Sequence, residues 1–356
     1  MLFWADCHPL MLRKSIIVVG AGTAGCVIAK HMSGSHDVTI IERSSSEVPL
    51  VNRIPLLIGL LYGSRNDFIH KLFLPAPCAR VVPYFSPNVL GGASSINGAV
   101  HVLGNFRLWE QILSRFELTL ENLKWSYSQL FTRVFQKDKI QICSGQPSYL
   151  DRLFYACLRS LGYTKIDTEQ TSHVGFGPIF NTCSRIFRSS VLSLQPFSSH
   201  CVCTIKRTEI TSLILDSTGT VVGVTDGTQN FLADIIILSC GVVGTNKILL
   251  NTAKQDSNKS SRSKFATAGI EIKDHTNLRV NVRSTKPLGS LNEINASFFS
   301  KSLMFVQHCL GLSTPMRGTG ATSSLNLDID KDGIVIPELI SLTFMRVVEW
   351  AVRSDF

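Results

Sequence analysis

Three glycines and one glutamate near the start of the chain have the spacing of a nucleotide-binding turn. Gly20, Gly22 and Gly25 form the pattern G-x-G-x-x-G between an apolar run and a helix-like segment. The first glycine would make the tight turn, the second would let the backbone approach a pyrophosphate, and the third would let helix and strand pack closely. Glu42 ends the next apolar run, near the ~20-residue offset of a carboxylate that binds ribose hydroxyls. The spacing predicts adenine-dinucleotide binding; the alternative is a turn that only packs a βαβ unit.

The residues around these glycines form the elements that such a turn requires. The run Ile16 to Val19 is β-branched and typical of a buried strand, and Val38 to Ile41 is a second run of this kind. A helical pattern begins directly after the turn, so Thr23 and Ala24 would lie in the first helical turn. The free N–H groups and positive dipole end of that helix would face the phosphates. We therefore expect strand, turn, helix and strand over residues 15–43.

A second glycine motif, Asn88 to Gly104, contains adjacent glycines followed by hydroxyl and amide side chains. Gly91 and Gly92 would form a backbone surface that can approach phosphates or a flat ring closely. The region between positions 49 and 87 is rich in proline. Because proline donates no backbone hydrogen bond, we expect a long excursion packed over the cofactor site there, and no regular sheet.

The two motifs resemble those of the glucose-methanol-choline (GMC) oxidoreductases, which are FAD enzymes that oxidise alcohols. The opening VVGAGTAGCVIA is similar to the family's FAD fingerprint, and NVLGGASSINGAVHVLG is similar to its first signature. The segment 241–250 resembles the second signature, although Asn246 replaces the usual proline and Asn251-Thr-Ala replaces the usual serine–glycine ending. Arg185 to Ser190 and Asp274-His275 also resemble family segments, so the likeness covers residues 15–285 in the expected order.

The resemblance implies an α/β fold with a Rossmann-like, discontinuous FAD-binding domain and a shortened α+β substrate domain. The FAD-binding domain would comprise residues 11–110, including the proline-rich excursion 49–87, together with residues 201–285. A helical substrate-region insertion would occupy residues 111–200. An incomplete substrate domain would occupy residues 286–356.

The resemblance also implies roles for individual residues. The first glycine turn would hold the pyrophosphate, Glu42 would hold the ribose, and a backbone group of Ile210 would reach the adenine. Ile96 stands where some members tether the flavin through a histidine, so the FAD would be non-covalent, because an aliphatic side chain has no nucleophile. The residues that would lie along the phosphates and the flavin are Gly91, Gly92, Ser95, Asn97 and Val100.

The expected chemistry also requires a catalytic base. Alcohol oxidation by a flavin needs a base over the ring, which GMC enzymes carry as a histidine with a second histidine or an asparagine in their C-terminal part. His308 lies in a segment loosely similar to the family's H-x-x-G-T and is the candidate, although no later histidine could complete the pair. His101 and His275, inside the motifs, are interpreted as structural.

The expected function is oxidation of the CH–OH group of a small-molecule alcohol by hydride transfer to FAD, with the electron acceptor unspecified. The first alternative is a truncated, catalytically inactive FAD-binding relic, or a half that needs a second chain. The second alternative is an NAD-binding βαβ enzyme, against which the second glycine motif argues.

Three further segments have strand patterns. The stretch 202–224 alternates apolar and polar residues around the turn Asp216 to Gly219, which predicts a hairpin. The run 234–240 is almost entirely apolar and predicts a buried strand. The segment 328–333 has the D-x-D-x-D-G pattern of a calcium loop, but Leu339 stands where a bidentate glutamate is needed. A hairpin with an Asp-Gly turn is the better interpretation, and no metal site is predicted.

Composition excludes several classes. The chain has 356 residues, which leaves room for two domains, and with 44% hydrophobic and 17% charged residues it is globular. Its net charge of +9 is scattered, so we expect no nucleic-acid partner. The ten cysteines form no C-x-x-C pair and are expected to be reduced. No apolar run reaches the ~18 residues of a membrane span, and the first ten residues make a poor signal peptide, so we expect a soluble protein, with the cytoplasm favoured.

Overall fold

The structure is a computed structural model of the chain. It describes residues 13–44, 48–55, 67–73, 79–101, 110, 113–114, 117–119, 121, 140–144, 149–166, 175–184, 187–188, 203–255, 265, 298–310, 321–331 and 334–343. Its helices are α1 (Thr23–Met32), α2 (Tyr149–Ser160), α3 (Gly241–Gln255) and α4 (Phe298–Cys309), with single 3-10 turns at Leu50–Arg53 and Gly92–Ser95. Its strands are β1 (Ser15–Val19), β2 (Asp37–Glu42), β3 (Asp67–Phe73), β4 (Val81–Pro87), β5 (Val100–His101), β6 (Cys143–Ser144), β7 (Gly175–Pro178), β8 (Phe180–Asn181), β9 (Cys203–Arg207), β10 (Ser212–Leu215), β11 (Val221–Thr225), β12 (Asn230–Leu232), β13 (Ile235–Leu238), β14 (Ala321–Lys331) and β15 (Ile334–Thr343).

The chain folds into two compact units. The first comprises residues 1–48, 63–95 and 191–277, and the second comprises residues 49–62, 96–190 and 278–356. The first unit is therefore discontinuous in sequence. The assignment of residues 11–110 and 201–285 to a cofactor domain stays a prediction.

The first unit is built on a four-stranded parallel sheet in the order β13-β1-β2-β9. The last four residues of β1 are buried, as expected for a parallel strand that is covered on both faces. From β1 the chain passes through α1 to β2 on one side, whereas β13 lies on the other side of β1. The strand order thus reverses at β1, and sheets of this kind bind nucleotides beyond the carboxyl ends of their strands at such a point. The predicted α/β class with a Rossmann-like sheet is confirmed.

An antiparallel meander, β10-β11-β12, packs with this sheet and α3 in one apolar core. Val224 at its centre is fully buried. The turn before β11 is held by the Asp216 carboxylate, which accepts hydrogen bonds from the backbone N–H groups of Thr218 and Thr220. The predicted hairpin around this turn is confirmed. The buried core residues are Ile17, Val19, Ile41, Ile210, Leu213, Val224 and Ile248.

Two strand predictions in this region are wrong in part. The stretch before the turn is not one strand, because β9 pairs with β2 in the parallel sheet and β10 belongs to the meander. Alternation of apolar and polar residues reports that one face is buried, but not which sheet the face belongs to. β13 is half-buried and not fully buried, since among the described strands it pairs only with β1.

The proline-rich excursion contains a regular β-hairpin, so the prediction of no regular sheet is wrong. β3 and β4 pair antiparallel over seven residues, with Lys71 opposite Pro83 and Asp67 opposite Pro87. Because the two prolines are four residues apart, their missing N–H groups fall on the same edge of β4. A two-stranded ribbon leaves one edge of each strand without a ladder partner, and prolines are tolerated there.

The second unit contains two three-stranded sheets, β15-β14-β7 and β5-β8-β6. α2 packs on β7 through Tyr155, Leu158 and Phe176, and the ring centroids of Tyr155 and Phe176 lie 5.0 Å apart. β14 and β15 pair antiparallel up to Lys331 and Ile334, which confirms the predicted hairpin in place of a calcium loop. The residues 332–333 of its turn, together with the first twelve residues, Arg185 and His275, lie outside the described part of the chain.

We predict that Gly25→Ala lowers the free energy of unfolding by about 2 kcal/mol, a usual cost of overpacking. A Cβ at Gly25 would lie 2.0 Å from the carbonyl oxygen of Gly20, so α1 would have to move away from β1. Urea unfolding followed by far-UV circular dichroism measures the change. Gly34→Ala is the matched control, because a Cβ at Gly34 meets nothing within 4 Å. Equal losses in the two variants would contradict the close packing of α1 on β1.

Candidate functional site

The first glycine turn lies where the ends of three parallel strands meet. Gly20 follows β1 with a φ of 102°, and its N–H donates to the carbonyl oxygen of Ile41 at the end of β2, 2.8 Å away. A Cβ on Gly20 would lie 2.6 Å from the carbonyl oxygen of Ser239, just beyond β13. Only glycine therefore allows the turn to close over this sheet edge.

The second glycine motif packs directly on the first. The N–H of Gly91 donates to the carbonyl oxygen of Ala21 at 3.0 Å. Gly92 has a φ of 53°, and a Cβ there would lie 2.8 Å from the Cα of Gly22. The two motifs, 70 residues apart in sequence (92 − 22), thus form one backbone surface.

A cavity of about 590 Å³ lies at the carboxyl ends of β1, β2 and β13, within the 300–1,000 Å³ range of ligand pockets. All of its lining residues belong to the first unit. The glycine turns, Glu42, the β3–β4 hairpin, the loop after β9 and the start of α3 all contribute to the wall. Its polar or glycine lining includes Gly20, Gly22, Thr23, Glu42, Arg43, His70, Tyr84, Ser86, Gly92, Thr208, Glu209, Ser239, Cys240, Gly241, Thr245 and Lys247.

Two helices begin at this cavity. α1 starts at Thr23 with Gly22 as N-cap, and no side chain caps it. α3 starts at Gly241 directly after β13. Neither helix has an acidic residue in its first turn. Backbone N–H groups and the positive ends of two helix dipoles therefore face one space, which favours an anion.

Glu42 is buried at the end of β2, and both of its carboxylate oxygens are held by backbone N–H groups. Oε2 accepts from Ala21 at 2.7 Å, and Oε1 accepts from Ser44 at 2.9 Å. The carboxylate thereby joins the glycine turn to the chain that leaves β2. Each oxygen has more than one lone pair, so the carboxylate can still accept a hydrogen bond from a ligand in the cavity.

The residues that follow β13 contribute a hydroxyl and a thiol. The Ser239 hydroxyl lies 2.9 Å from the carbonyl oxygens of both Val19 and Gly20. The Cys240 thiol donates to the carbonyl oxygen of Val19 at 3.1 Å. Burial, and then the negative charge of Glu42, raise the pKa of Cys240 to about 11. Cys240 is therefore a neutral thiol in the wall near physiological pH.

The loop Thr208 to Ile210 forms the wall beyond β9. The Ile210 side chain lies in the core of the unit, and no described residue forms a hydrogen bond with the Ile210 backbone N–H or C=O. The Thr208 hydroxyl donates to the Asp226 carboxylate at 3.0 Å. Hydrogen bonds from Gln229 and Thr228 hold the pKa of Asp226 well below its usual range, so this anchor is ionised.

Sequence reasoning missed the side chains that the β3–β4 hairpin places in the cavity. His70 and Tyr84 are directly opposite in the hairpin, with ring centroids 6.4 Å apart, and Ser86 lies two residues farther along the same face. All three line the cavity. The signal was the period-2 pattern around Tyr84, which the neighbouring prolines concealed.

The other predicted site residues lie elsewhere. Ser95 is buried, and its hydroxyl donates to the carbonyl oxygen of Leu90 at 2.7 Å, whereas Gly25 lies behind the turn at the helix–strand contact. Asn97 and Val100 belong to the second unit, where Asn97 Oδ1 accepts from Arg188 Nη1 at 2.6 Å and from Ala99 N at 2.9 Å. Cofactor contacts of these residues stay predictions.

His308 lies in α4 of the second unit, and its side chain is outside the described part of the structure. Burial lowers the pKa of His101, which sits in β5.

Among the described helices, none is long and apolar enough to cross a membrane. The described residues also contain no group of three or more metal-ligating side chains.

Known proteins resemble the chain in sequence and in structure. No protein-family model matches the chain. An oxygen-dependent choline dehydrogenase of Photobacterium profundum is 26% identical over 288 residues, covering 72% of this chain and 49% of the relative. The GMC-type oxidoreductase acuG of Aspergillus aculeatus is 24% identical over 248 residues, covering 66% of this chain and 45% of the relative. The chain thus spans about half the length of the curated relatives it matches.

Among solved structures, a formate oxidase variant of Aspergillus oryzae, studied for its FAD modification, superposes with a TM-score of 0.68. The match is 20% identical in sequence and covers 89% of this chain and 62% of the oxidase. At this identity the likeness shows the fold alone.

We predict that iodoacetamide labels Cys240 about a hundredfold more slowly at pH 8 than a thiol of ordinary pKa, because only the thiolate reacts. With a pKa of about 11, the thiolate fraction of Cys240 rises tenfold per pH unit from pH 8 to 10. Glu42→Gln should speed labelling, since removing the negative charge lowers the pKa. Peptide mass spectrometry measures the rates, with exposed Cys157 as the internal reference. Labelling of both thiols at one rate at pH 8 would contradict a half-buried, neutral Cys240 thiol.

Proposed function

Because this chain belongs to the GMC oxidoreductases, we propose that it binds FAD without a covalent bond and oxidises the CH–OH group of a small-molecule alcohol. The proposal rests on two glycine motifs that share one cavity within the first unit. The names of the relatives, which include choline dehydrogenases, suggest the class of substrate.

The main support for FAD binding comes from the surroundings of Gly22. Its φ is −80°, which any residue can adopt, and an added Cβ would come no closer than 3.8 Å to the surrounding protein atoms. The protein itself therefore does not demand glycine at this position, in contrast to Gly20 and Gly92. A side chain at Gly22 would instead occupy the cavity, so its absence fits a ligand that lies against the backbone, as a pyrophosphate does.

The charges along the cavity wall favour one orientation of the bound dinucleotide. A pyrophosphate is favoured at the first turns of α1 and α3, where N–H groups face the cavity. It is disfavoured at Glu42, since two anions would repel each other. Glu42 instead fits the hydroxyls of a ribose, which donate to a carboxylate. The adenine then falls at Ile210, whose backbone N–H and C=O no described residue engages.

The chemistry that FAD supplies when bound is acceptance of a hydride from the alcohol carbon. The chain must provide a base that takes the hydroxyl proton, and His308 remains the candidate. Ile96 is buried and aliphatic, so it cannot form a bond to the flavin from the position of the family's tethering histidine. This residue supports the proposed non-covalent binding.

We predict that the purified chain retains FAD after reconstitution and gel filtration, and that acid precipitation releases all the flavin into the supernatant. Flavin left in the pellet would contradict non-covalent binding.

Gly92→Ala should weaken FAD binding about tenfold, since its Cβ would collide with Gly22 and its φ of 53° strains an L-residue. Gly162→Ala is the matched control, because Gly162 also has a positive φ but lies in the second unit. Equal effects in both variants would argue against the shared glycine surface.

We also predict that an alcohol bleaches the bound flavin when oxygen is excluded. A panel of choline, primary aliphatic alcohols and benzylic alcohols should contain at least one compound that removes the visible absorbance in a concentration-dependent way. His308→Ala should slow the bleaching without loss of flavin. Retained flavin that dithionite reduces but no alcohol in the panel bleaches would contradict the oxidoreductase and favour the inactive relic.

A further inference from the structure

We infer that Asn251 is a positioning residue that sets the adenine-facing loop Thr208–Ile210, and that it thereby controls discrimination between adenine and other purines. The inference deepens the proposed function and rests on it for the placement of the base. It concerns only residues of the first unit.

Asn251 fixes the peptide group next to Ile210. Its Nδ2 donates to the carbonyl oxygen of Thr211 at 3.1 Å. The N–H of Thr211 donates to the carbonyl oxygen of Thr225 at 2.8 Å, and its hydroxyl donates to the same oxygen at 3.1 Å. Thr211 is therefore held from α3 on one side and from the meander on the other, which leaves Ile210 little freedom.

The contact of Asn251 is part of a polar face of α3. Lys247, Asn251 and Gln255 are four residues apart and so lie on one side of the helix. Lys247 pairs with Glu209 at 3.0 Å, and the Gln255 Oε1 accepts from the Ser212 hydroxyl at 2.9 Å. Successive turns of α3 thus bind successive residues of the chain from the loop into β10.

Thr252, the next residue of α3, adds further hydrogen bonds that hold the helix against β10. The buried Thr252 hydroxyl accepts from the N–H of Leu213 at 2.9 Å and donates to the carbonyl oxygen of Ile248 at 2.8 Å. The Asn-Thr pair that makes these bonds stands where the second signature usually ends in serine and glycine. The side chains of Asn251 and Thr252 therefore fix the position of α3 against β10 and the residue before it.

α3 lines the cavity at its other end through Gly241 to Thr245. One helix therefore faces the phosphate region with its first turn and holds the loop with its later turns. The distance between the phosphate-binding N–H groups and the backbone of Ile210 is fixed by this single rigid element. An adenosine diphosphate moiety needs both ends at once, so α3 sets the span that the ligand must match.

The backbone of Ile210 can read the base because it has one donor and one acceptor. Adenine presents an acceptor at N1 and a donor at N6, which complement an N–H and a C=O. Hypoxanthine reverses both, with a donor at N1 and an acceptor at O6. Loss of the Asn251 bond would let the loop shift and re-orient these groups, so the preference for adenine should fall while the phosphate contacts remain.

Calorimetric titration of the full-length chain with ADP and with inosine diphosphate tests the inference. We expect wild type to bind ADP at least about tenfold more tightly than inosine diphosphate, from two mismatched hydrogen bonds. Asn251→Leu, which keeps the approximate shape but removes the donor, should weaken ADP binding about three- to tenfold, the range for one lost hydrogen bond. Its affinity for inosine diphosphate should stay within twofold, so the discrimination ratio falls.

Two further variants separate positioning from a general structural effect. Gln255→Leu removes a bond of the same kind one turn farther from the loop, and it should keep the wild-type discrimination ratio. Asn251→Asp also lacks the donor and should lose discrimination as the leucine variant does. Equal weakening of both nucleotides by the Asn251 variants, or loss of discrimination in Gln255→Leu, would overturn the inference. A wild-type chain that binds and discriminates ADP but retains no FAD would overturn the proposed function alone, whereas one that binds neither nucleotide would overturn both.

Discussion

The close approach of backbone atoms around Gly20 is the constraint on which the first unit depends. The turn brings the ends of β1, β2 and β13 together, and no side chain separates the Gly20 peptide from Ser239 or from Gly25. The Gly20 N–H and the Ser239 hydroxyl seal the same sheet edge. Because the edge is closed in this way, α1 begins directly at the cavity with its N–H groups uncapped. The geometry that favours an anion in the cavity is thus a consequence of packing around the glycine turn.

The parts predicted from sequence were those that local spacing determines. The βαβ unit, the carboxylate of Glu42 at the cavity, and the hairpins of β10–β11 and β14–β15 all follow from short patterns whose physics lies within about twenty residues. The sequence suggested that the two glycine motifs bind the same ligand, but it did not predict the direct contact between Gly22 and Gly92. Its close fit depends on how the chain returns after β4, which spacing does not reveal.

The parts missed were those that long-range packing determines. Prolines led to the expectation of an irregular excursion, yet Pro83 and Pro87 sit on one edge of a two-stranded ribbon, where their lack of N–H groups costs little. The prolines therefore concealed the period-2 pattern that places His70 and Tyr84 at the cavity. Likewise, the break between β9 and β10 is set by Asn251 and Thr252, some forty residues away, so the alternation before the turn could not show it.

These contacts give the first unit a cavity wall that fits the adenosine diphosphate part of the proposed flavin dinucleotide. Hydrogen–deuterium exchange with and without FAD tests this placement most directly. FAD should slow exchange at the amides of Gly20–Ala24, Gly92, Thr208–Ile210 and Gly241–Thr245 together, because one ligand contacts all four segments of the cavity wall. Protection confined to other segments, or no change at the glycine turns with FAD bound, would contradict the placement of the cofactor.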